Sequence, residues 1–389
     1  MADNRHDSRI AVGLIIHSLC YGGAERQVVE IARNLDRSRF RVNIITFSDF
    51  TPLLEPDDEL RESLLILPKP SKFDPTVIWR LYKSLKNLRI DVAHAFLFDT
   101  ELATRLASRR AGVRFVIGSE RNADYKLAKW RWFLLRMTLP MTDLIIANSN
   151  SGATYHASLY GRRDQRYEVV HNGVDTDRFH PMHRKVKKQE LGFCESSIVI
   201  GMFASFKRQK NHILLFQALE EVVVSNPIIR LLLVGENLLD NYGDTQTYKA
   251  EMYQALNKHG LADITTILGN RSDVESIYAA CDLTVLPSLH EGTPNVILES
   301  MACGTPVILT DVSDNASLVK HKEEGLLVQP GNIYDLRHAL DTLCNDSALR
   351  ESMGRAARRG AVDRLSNAIM SKKIGDIYAE PFDTDSEDF

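Results

Sequence analysis

Polar and apolar positions along this chain follow two periods that take turns. Ile10–Ile16 (IAVGLII) is a short, unbroken apolar run rich in β-branched residues, and it reads as a strand buried on both faces. Beyond Ser18–Glu25, the residues Val28, Val29, Ile31, Ala32 and Leu35 recur at helical spacing. The alternation continues through strands at Arg41–Phe47, Asp91–Phe96, Arg114–Gly118, Leu144–Ala147 and Glu168–Val170, with helices at Thr76–Leu88 and Glu101–Ala111. It begins again at Ser197–Phe203, with further strands at Arg230–Val234, Ile264–Leu268, Leu283–Leu286, Thr305–Thr310 and Gly325–Val328. Helices at Tyr334–Cys344, Leu349–Arg359 and Ala368–Tyr378 follow, and EPFDTDSEDF reads as an acidic disordered tail. Such alternation calls for parallel sheets covered by helices on both faces. The predicted class is α/β, with two Rossmann-like doubly wound domains whose active groups lie beyond the carboxyl ends of the strands.

The boundary between the halves falls at HNGVDTDRFHP, where Asn172-Gly173 supplies a tight turn and Phe179-His180-Pro181 ends an element. The charged run Arg184–Lys188 after it reads as exposed. The expected division is therefore 1–181, 182–365, a final helix at 366–379 and the tail 380–389. The halves repeat architecture without repeating sequence.

Composition narrows the class. With 389 residues, 44% of them apolar and 25% charged, the chain has room for two or three globular domains. A net charge of −3 argues against nucleic acid as the partner. Five scattered cysteines with no C-x2-C pair suggest neither a disulfide framework nor a metal site, which favours a reducing cytosol. MADNRHDSR lacks the apolar region of a signal peptide, and no run approaches the ~20 apolar residues needed to span a bilayer. A cytoplasmic protein is expected.

Candidate chemistry centres on Pro287–Pro306, PSLHEGTPNVILESMACGTP. A strand runs into a polar turn at Ser288–Gly292, and a helix from about Pro294 to Cys303 closes on Gly304. Glu291 and Glu299 stand eight residues apart, roughly 80° around a helix, so both can look into one crevice. The helix start at Gly292, Thr293, Pro294, Asn295 and Val296 is a ready anion site. Most glutamate pairs at this spacing are solvated helix carboxylates. Here Glu299 lies among Val296, Ile297, Leu298, Met301 and Ala302, where a charge needs a partner.

Other strand ends add candidates. Gly22-Gly23 makes a strand–turn–helix junction, although such pairs are usually plain turns. His94, Ser119, Glu120 and Arg121 fall at or near strand ends in the first half. Lys207, Arg208 and Lys210 follow Ser197–Phe203, either as a solvated loop or as cations placed to neutralise a diphosphate. In the basic aromatic segment Tyr125–Leu139, Trp130, Phe133, Leu134 and Met137 form a stripe flanked by Lys126, Lys129, Arg131 and Arg136. A stripe of this kind most often packs on its own sheet; the alternative is docking on the cytosolic face of a membrane.

EGTPNVILESMACGTPVI resembles the glutamate-x7-glutamate signature of retaining glycosyltransferases of family 4, which have the two-domain GT-B fold with domains facing a central cleft. The resemblance runs from Ile10 to about Leu365. It implies transfer of a hexose-type sugar from a UDP- or GDP-linked donor to a glycan or lipid-linked acceptor in polysaccharide or glycolipid synthesis. It implies no cofactor and no metal, and the chain has no Asp-x-Asp at a strand end; Asp383-Thr384-Asp385 lies in the tail. By resemblance, Glu291 contacts the donor sugar, Glu299 the ribose and Lys210 the donor phosphate, with Lys207 or Arg208 in place of a usual arginine. Gly22 and Gly23 border the diphosphate, Gly235 walls the nucleotide pocket, and Arg271 belongs to the base loop. The first domain takes the acceptor, near His94, Glu120 and Arg121, and the final helix crosses back to it.

Two departures stand out. GSERNAD lacks the histidine many members carry, which leaves Arg121 open between an anion contact and a salt-bridged loop arginine. Ser313, Asp314 and Ser317 occupy places where relatives have Gly-Gly and glutamate. The alternatives on the same fold are a nucleotide-sugar epimerase, a phosphorylase, for which no pyridoxal phosphate lysine is evident, or a non-catalytic carbohydrate-binding scaffold.

Overall fold

The computed structural model describes residues 7–71, 74–121, 129–160, 165–235, 243–269, 271 and 273–383, which pack as two compact units. One comprises Met1–Gly173 with Asn367–Phe389, and the other Val174–Ser366. The division falls after Gly173 and not after Pro181: the Val174 N–H donates to the Leu365 carbonyl (2.9 Å), and Val174 and Phe179 join the core of the second unit.

The first unit is built on a seven-stranded sheet of β1 (Ile10–Ile16), β2 (Phe40–Thr46), β3 (Leu64–Ile66), β4 (Val92–Ala95), β5 (Phe115–Glu120), β6 (Leu144–Ala147) and β7 (Arg166–Val169). The order is β3-β2-β1-β4-β5-β6-β7, all parallel. Successive strand side chains point to opposite faces. Val12, Leu14 and Ile16 therefore pack with Val28 and Ile31 of helix Gly23–Asn34 and with Met370, Ile374 and Tyr378 of helix Asn367–Asp383. Ala11 and Ile15 meet Val77, Leu81 and Ala103 on the other face. The last helix belongs to this unit and continues to Asp383, so Glu380–Asp383 is helical and not tail; Glu380 pairs with Arg166 at 2.7 Å. Residues 384–389 lie outside the described residues.

In the second unit, β8 (Ile198–Phe203), β9 (Ile229–Val234), β10 (Thr265–Leu268), β11 (Leu283–Leu286), β12 (Val307–Thr310) and β13 (Gly325–Val328) form a parallel sheet in the order β10-β9-β8-β11-β12-β13. The charged run is a correction: Arg184–Glu190 is a helix, and Lys188 is buried with Nζ 2.6 Å from Asp282 Oδ2. A lone charge there would be costly, and the pair together with the Ser197 carbonyl satisfies it.

Each unit carries a clamp of the same kind. Asp91, before β4, accepts from the Ala11 N–H of β1 (2.8 Å), and Asp282, before β11, accepts from the Val199 N–H of β8 (2.7 Å). Each ties together the two strands between which chain order reverses, β1 with β4 and β8 with β11. Crevices for ligands in open parallel sheets lie beyond the carboxyl ends at such reversals. Among the described residues no helix is long and apolar enough to cross a membrane.

Candidate active site

At the reversal of the second sheet, the loops after β8 and β11 are laced together. The Leu289 N–H donates to the Gln209 carbonyl (2.8 Å), and the Gln209 side chain donates to the His290 carbonyl (2.7 Å). A 3-10 turn at Arg208–Lys210 and a left-handed Asn211 (φ 55°) then turn Lys210 toward the β11 loop. Its Nζ lies 2.6 Å from Glu291 Oε1, and both side chains are largely buried. The loop after β12 joins them: Ser313, at a left-handed φ of 53°, offers Oγ to the Glu291 N–H at 3.4 Å.

Helix Asn295–Ala302 opens beside this pair, with Pro294 as its N-cap and Gly292–Thr293 leading in. The Pro294 side chain has no group to cap it. First-turn N–H groups such as that of Val296 are directed by helix geometry toward the loop. Glu299, about one turn along, is 7% exposed, and its Oε2 accepts from the Tyr278 hydroxyl at 2.9 Å. The Tyr278 ring is stacked on Phe203, the last residue of β8 (3.6 Å between centroids, 16°), and meets Phe179 edge-on. Tyr278 is thus the partner that a charge on this apolar helix required. Sequence reasoning missed it, although a tyrosine on the apolar face of helix Val274–Ala280 was a usable signal.

The other cations diverge. Lys207 is exposed at the N-cap of the 3-10 turn, and Arg208 turns away to Glu251 (2.6 Å) over the Tyr248 ring. Of the three cations, Lys210 is the one paired with Glu291. Gly235 ends β9 at φ 134°, where a Cβ would stand 2.5 Å from the Ala204 carbonyl oxygen. Glycine is needed there. Arg271 is exposed and paired with Asp273 at 2.8 Å, which holds the Asp273 carboxyl below its usual range. Glu236, Asn237, Asn270 and Ser272 of the nucleotide-side loops lie outside the described residues.

In the first unit, Gly22 is the N-cap of helix Gly23–Asn34, and the Glu25 carboxylate folds back over it; a Cβ on Gly22 would meet that group at 2.0 Å. Cys20 Sγ donates to Glu25 Oε1 (3.3 Å). His94, one of the acceptor-side candidates, is a core residue. It is fully buried on β4, with Nδ1 2.6 Å from the Tyr378 hydroxyl and Nε2 2.6 Å from Ser119 Oγ. Burial, and secondarily the Arg121 charge, hold its pKa well below the ordinary imidazole value. Glu120 ends β5 half-buried. Arg121 follows, 9% exposed, donating to Asn172 Oδ1 (3.1 Å) with its guanidinium over the Phe96 ring. No carboxylate among the described residues pairs with it, so the salt-bridged alternative is not realised.

The basic aromatic segment also differs from the expected packing. Residues 125–128 lie outside the described residues; helix Lys129–Thr138 buries Leu135, while Trp130, Phe133 and Met137 are 48, 62 and 62% exposed. The segment has two apolar faces, and the one holding Leu135 won the contact with Leu139 and Ile145. Arg131 lies over the rings of Phe98 and Trp130, and Arg136 is exposed.

Comparison with known proteins agrees with this architecture. The model of the family described as Glycosyltransferase Family 4 matches residues 21–178, and that described as Glycosyl transferases group 1 matches residues 183–360. A similar curated protein, 28% identical over 77% of this chain and 78% of its own length, is the UDP-Gal:alpha-D-GlcNAc-diphosphoundecaprenol alpha-1,3-galactosyltransferase of Escherichia coli. Another is N-acetylgalactosamine-N,N'-diacetylbacillosaminyl-diphospho-undecaprenol 4-alpha-N-acetylgalactosaminyltransferase of Campylobacter jejuni, 25% identical over 90% of this chain and 94% of that protein. Among solved structures, Anabaena HepE in complex with UDP superposes with a TM-score of 0.83 at 22% identity, covering 95% of this chain and all of that one. The chain belongs to the family 4 (group 1) glycosyltransferases and has their GT-B fold.

Proposed function

We propose that the protein moves a hexose-type sugar, with retention of configuration and without metal or other cofactor, from a UDP- or GDP-linked donor to a glycan or lipid-linked acceptor in polysaccharide or lipopolysaccharide synthesis. The observation that carries this reading is the Lys210–Glu291 pair at the sheet reversal, beside the N-terminus of helix Asn295–Ala302. Breaking a nucleotide–sugar bond puts positive charge on the anomeric carbon and negative charge on the departing diphosphate. Lys210 and the first-turn N–H groups stabilise the leaving group, and Lys207 and Arg208 raise the local potential. Glu291 lies against the donor sugar, and Glu299, oriented by Tyr278, accepts from the ribose hydroxyls.

The acceptor belongs to the first unit, on the side of Glu120 and Arg121. The names of the E. coli and C. jejuni relatives, both diphosphoundecaprenol-linked, support a lipid-linked acceptor. Trp130, Phe133 and Met137, with Arg131 and Arg136, suit an anionic lipid surface, which makes the enzyme a cytoplasmic protein peripheral to the inner leaflet.

The test is a thermal-shift screen of the full chain against UDP-, GDP-, ADP- and CMP-sugars with EDTA present, followed by transfer to polyprenyl-diphosphate GlcNAc and assignment of the product anomer. A selective shift that is lost in Glu299→Ala, with transfer, is expected; saturation at ~100 times the dissociation constant adds ~2.7 kcal/mol of stability. No shift and no transfer with any donor would remove the reading.

A further inference from the structure

We propose that Arg121 is the anchor of an oxyanion site in the first unit, built to take the phosphate oxygens of a diphosphate-bearing substrate. It rests on the transferase reading and deepens it on the acceptor side.

Three strand ends hold the side chain in place. Phe96, after β4, lies under the guanidinium (Cζ 5.1 Å from the ring centroid), and Asn172, after β7, accepts from Nη1 at 3.1 Å. Asn148, after β6, donates through Nδ2 to the Arg121 carbonyl (3.0 Å), fixing the backbone. These positions lie beyond the carboxyl edge of the parallel sheet, where ligands gather.

The charge is left over. A guanidinium carries five N–H donors in a fixed fork and does not give up its proton in proteins. Here Nε and Nη2 are buried and have no hydrogen-bond partner among the described residues. Glu120 and Tyr378 act on the group only at longer range. His94, whose ring feels the Arg121 charge, is spent on Tyr378 and Ser119 and supplies no negative charge. A second buried arginine among the described residues of this unit shows what a structural role looks like: Arg105 is paired with Glu101 at 2.9 Å and donates to the Leu135 carbonyl. Burial lowers the Arg121 pKa to about 10, so it remains a cation at neutral pH.

A buried cation without an ion-pair partner in contact is costly unless something else satisfies it. An oxyanion fits the two idle donors in the bidentate geometry that guanidinium favours. The diphosphate can belong to the acceptor or to the donor, and the two sources separate experimentally.

Full-length wild type, Arg121→Gln and Arg121→Lys are titrated with UDP and, in detergent micelles, with a short-chain polyprenyl diphosphate GlcNAc. The site predicts that Arg121→Gln binds one of the two ~10–100-fold more weakly, the worth of one or two charge-assisted hydrogen bonds. A loss confined to the polyprenyl ligand assigns the acceptor diphosphate to Arg121; a loss confined to UDP assigns the donor's. Removing an uncompensated charge also predicts that ligand-free Arg121→Gln melts no lower than wild type. If it fails to fold, Arg121→Lys, which keeps the charge and loses the fork, is expected to weaken the same ligand at least ~3-fold. Unchanged affinity for both ligands in a folded variant overturns the site. Weakened diphosphate binding in a protein that transfers no sugar leaves the site standing and removes the transferase reading instead.

Discussion

Lys210 and Glu291, 81 residues apart in the chain, meet at 2.6 Å and neutralise each other in the ligand-free protein. On the proposed function, a donor diphosphate competes with Glu291 for the ammonium. Replacing Glu291 by Gln removes that competitor while leaving the shape. We expect UDP to bind ~3–10-fold more tightly to Glu291→Gln, and turnover to fall by ~100-fold or more. Titration calorimetry with UDP beside steady-state kinetics checks both. Weaker UDP binding would mean that the pair serves the fold and not the donor.

Tyr278→Phe keeps the ring stacked on Phe203 and deletes the hydroxyl that donates to Glu299. A single hydrogen bond of this kind contributes ~1 kcal/mol, more when the acceptor is charged. Stability should fall by about that amount, and nucleotide affinity by ~5-fold, with little change in kcat. A large kcat effect at unchanged KM would place Tyr278 in the chemical step instead.

Gly235→Ala combines a backbone angle that L residues avoid with a Cβ driven into the Ala204 carbonyl. The second unit should lose ~1–3 kcal/mol or more, seen as a lower urea midpoint. A variant as stable as wild type would contradict the close approach of β9 to the end of β8.

Burial holds three imidazoles below their ordinary value of 6.5: His156 and His212 at about 3, and His94 well below it. The unfolded chain takes up protons near pH 6.5 while the folded one does not, so between those values the unfolded state binds more protons. Their stabilising effect is complete above pH 6.5 and is lost as pH falls toward 3, at up to ~1.4 kcal/mol per pH unit for each histidine. Denaturant melts at pH 7.5, 6 and 5 should show that decline. A flat profile would mean the rings charge without unfolding.

Phe133→Asp with Met137→Asp removes exposed apolar surface and leaves the buried face at Leu135 in place. Flotation with vesicles containing anionic lipid should recover wild type and lose most of the double variant, while activity on a water-soluble acceptor persists. Equal flotation would discard the helix as a lipid contact.

The most legible strands are unbroken apolar runs, and Ile10–Ile16 and Leu144–Ala147 stand in both the sequence reading and the structure. β3 escaped because three half-buried residues carry no period. Lys188 was misjudged, and the burial of His94 went unforeseen, for one shared reason. A polar residue looks exposed until its partner is known, and those partners, Asp282 and Tyr378, lie 94 and 284 positions away. Glu299 was the converse case: its apolar neighbours announced a missing partner, but only the fold could supply Tyr278. The family signature pointed to Glu291 and Lys210, whereas their contact depends on the reversal of strand order at β8 and β11, which no local pattern encodes.

The first unit closes with residues that arrive last. Its sheet is covered on one face by Met370, Ile374 and Tyr378, and Tyr378 fastens the buried His94. On the ribosome, residues 1–173 therefore emerge with that apolar face only partly covered, by helix Gly23–Asn34, before the whole of 174–366 is made. The second unit is contiguous and can fold first, although its sequence comes later. A nascent chain stalled before Asn367 would present an intact second unit joined to a sticky, incomplete first one, a natural client for chaperones. In this protein the segment that completes the first unit is made only after the whole of the second.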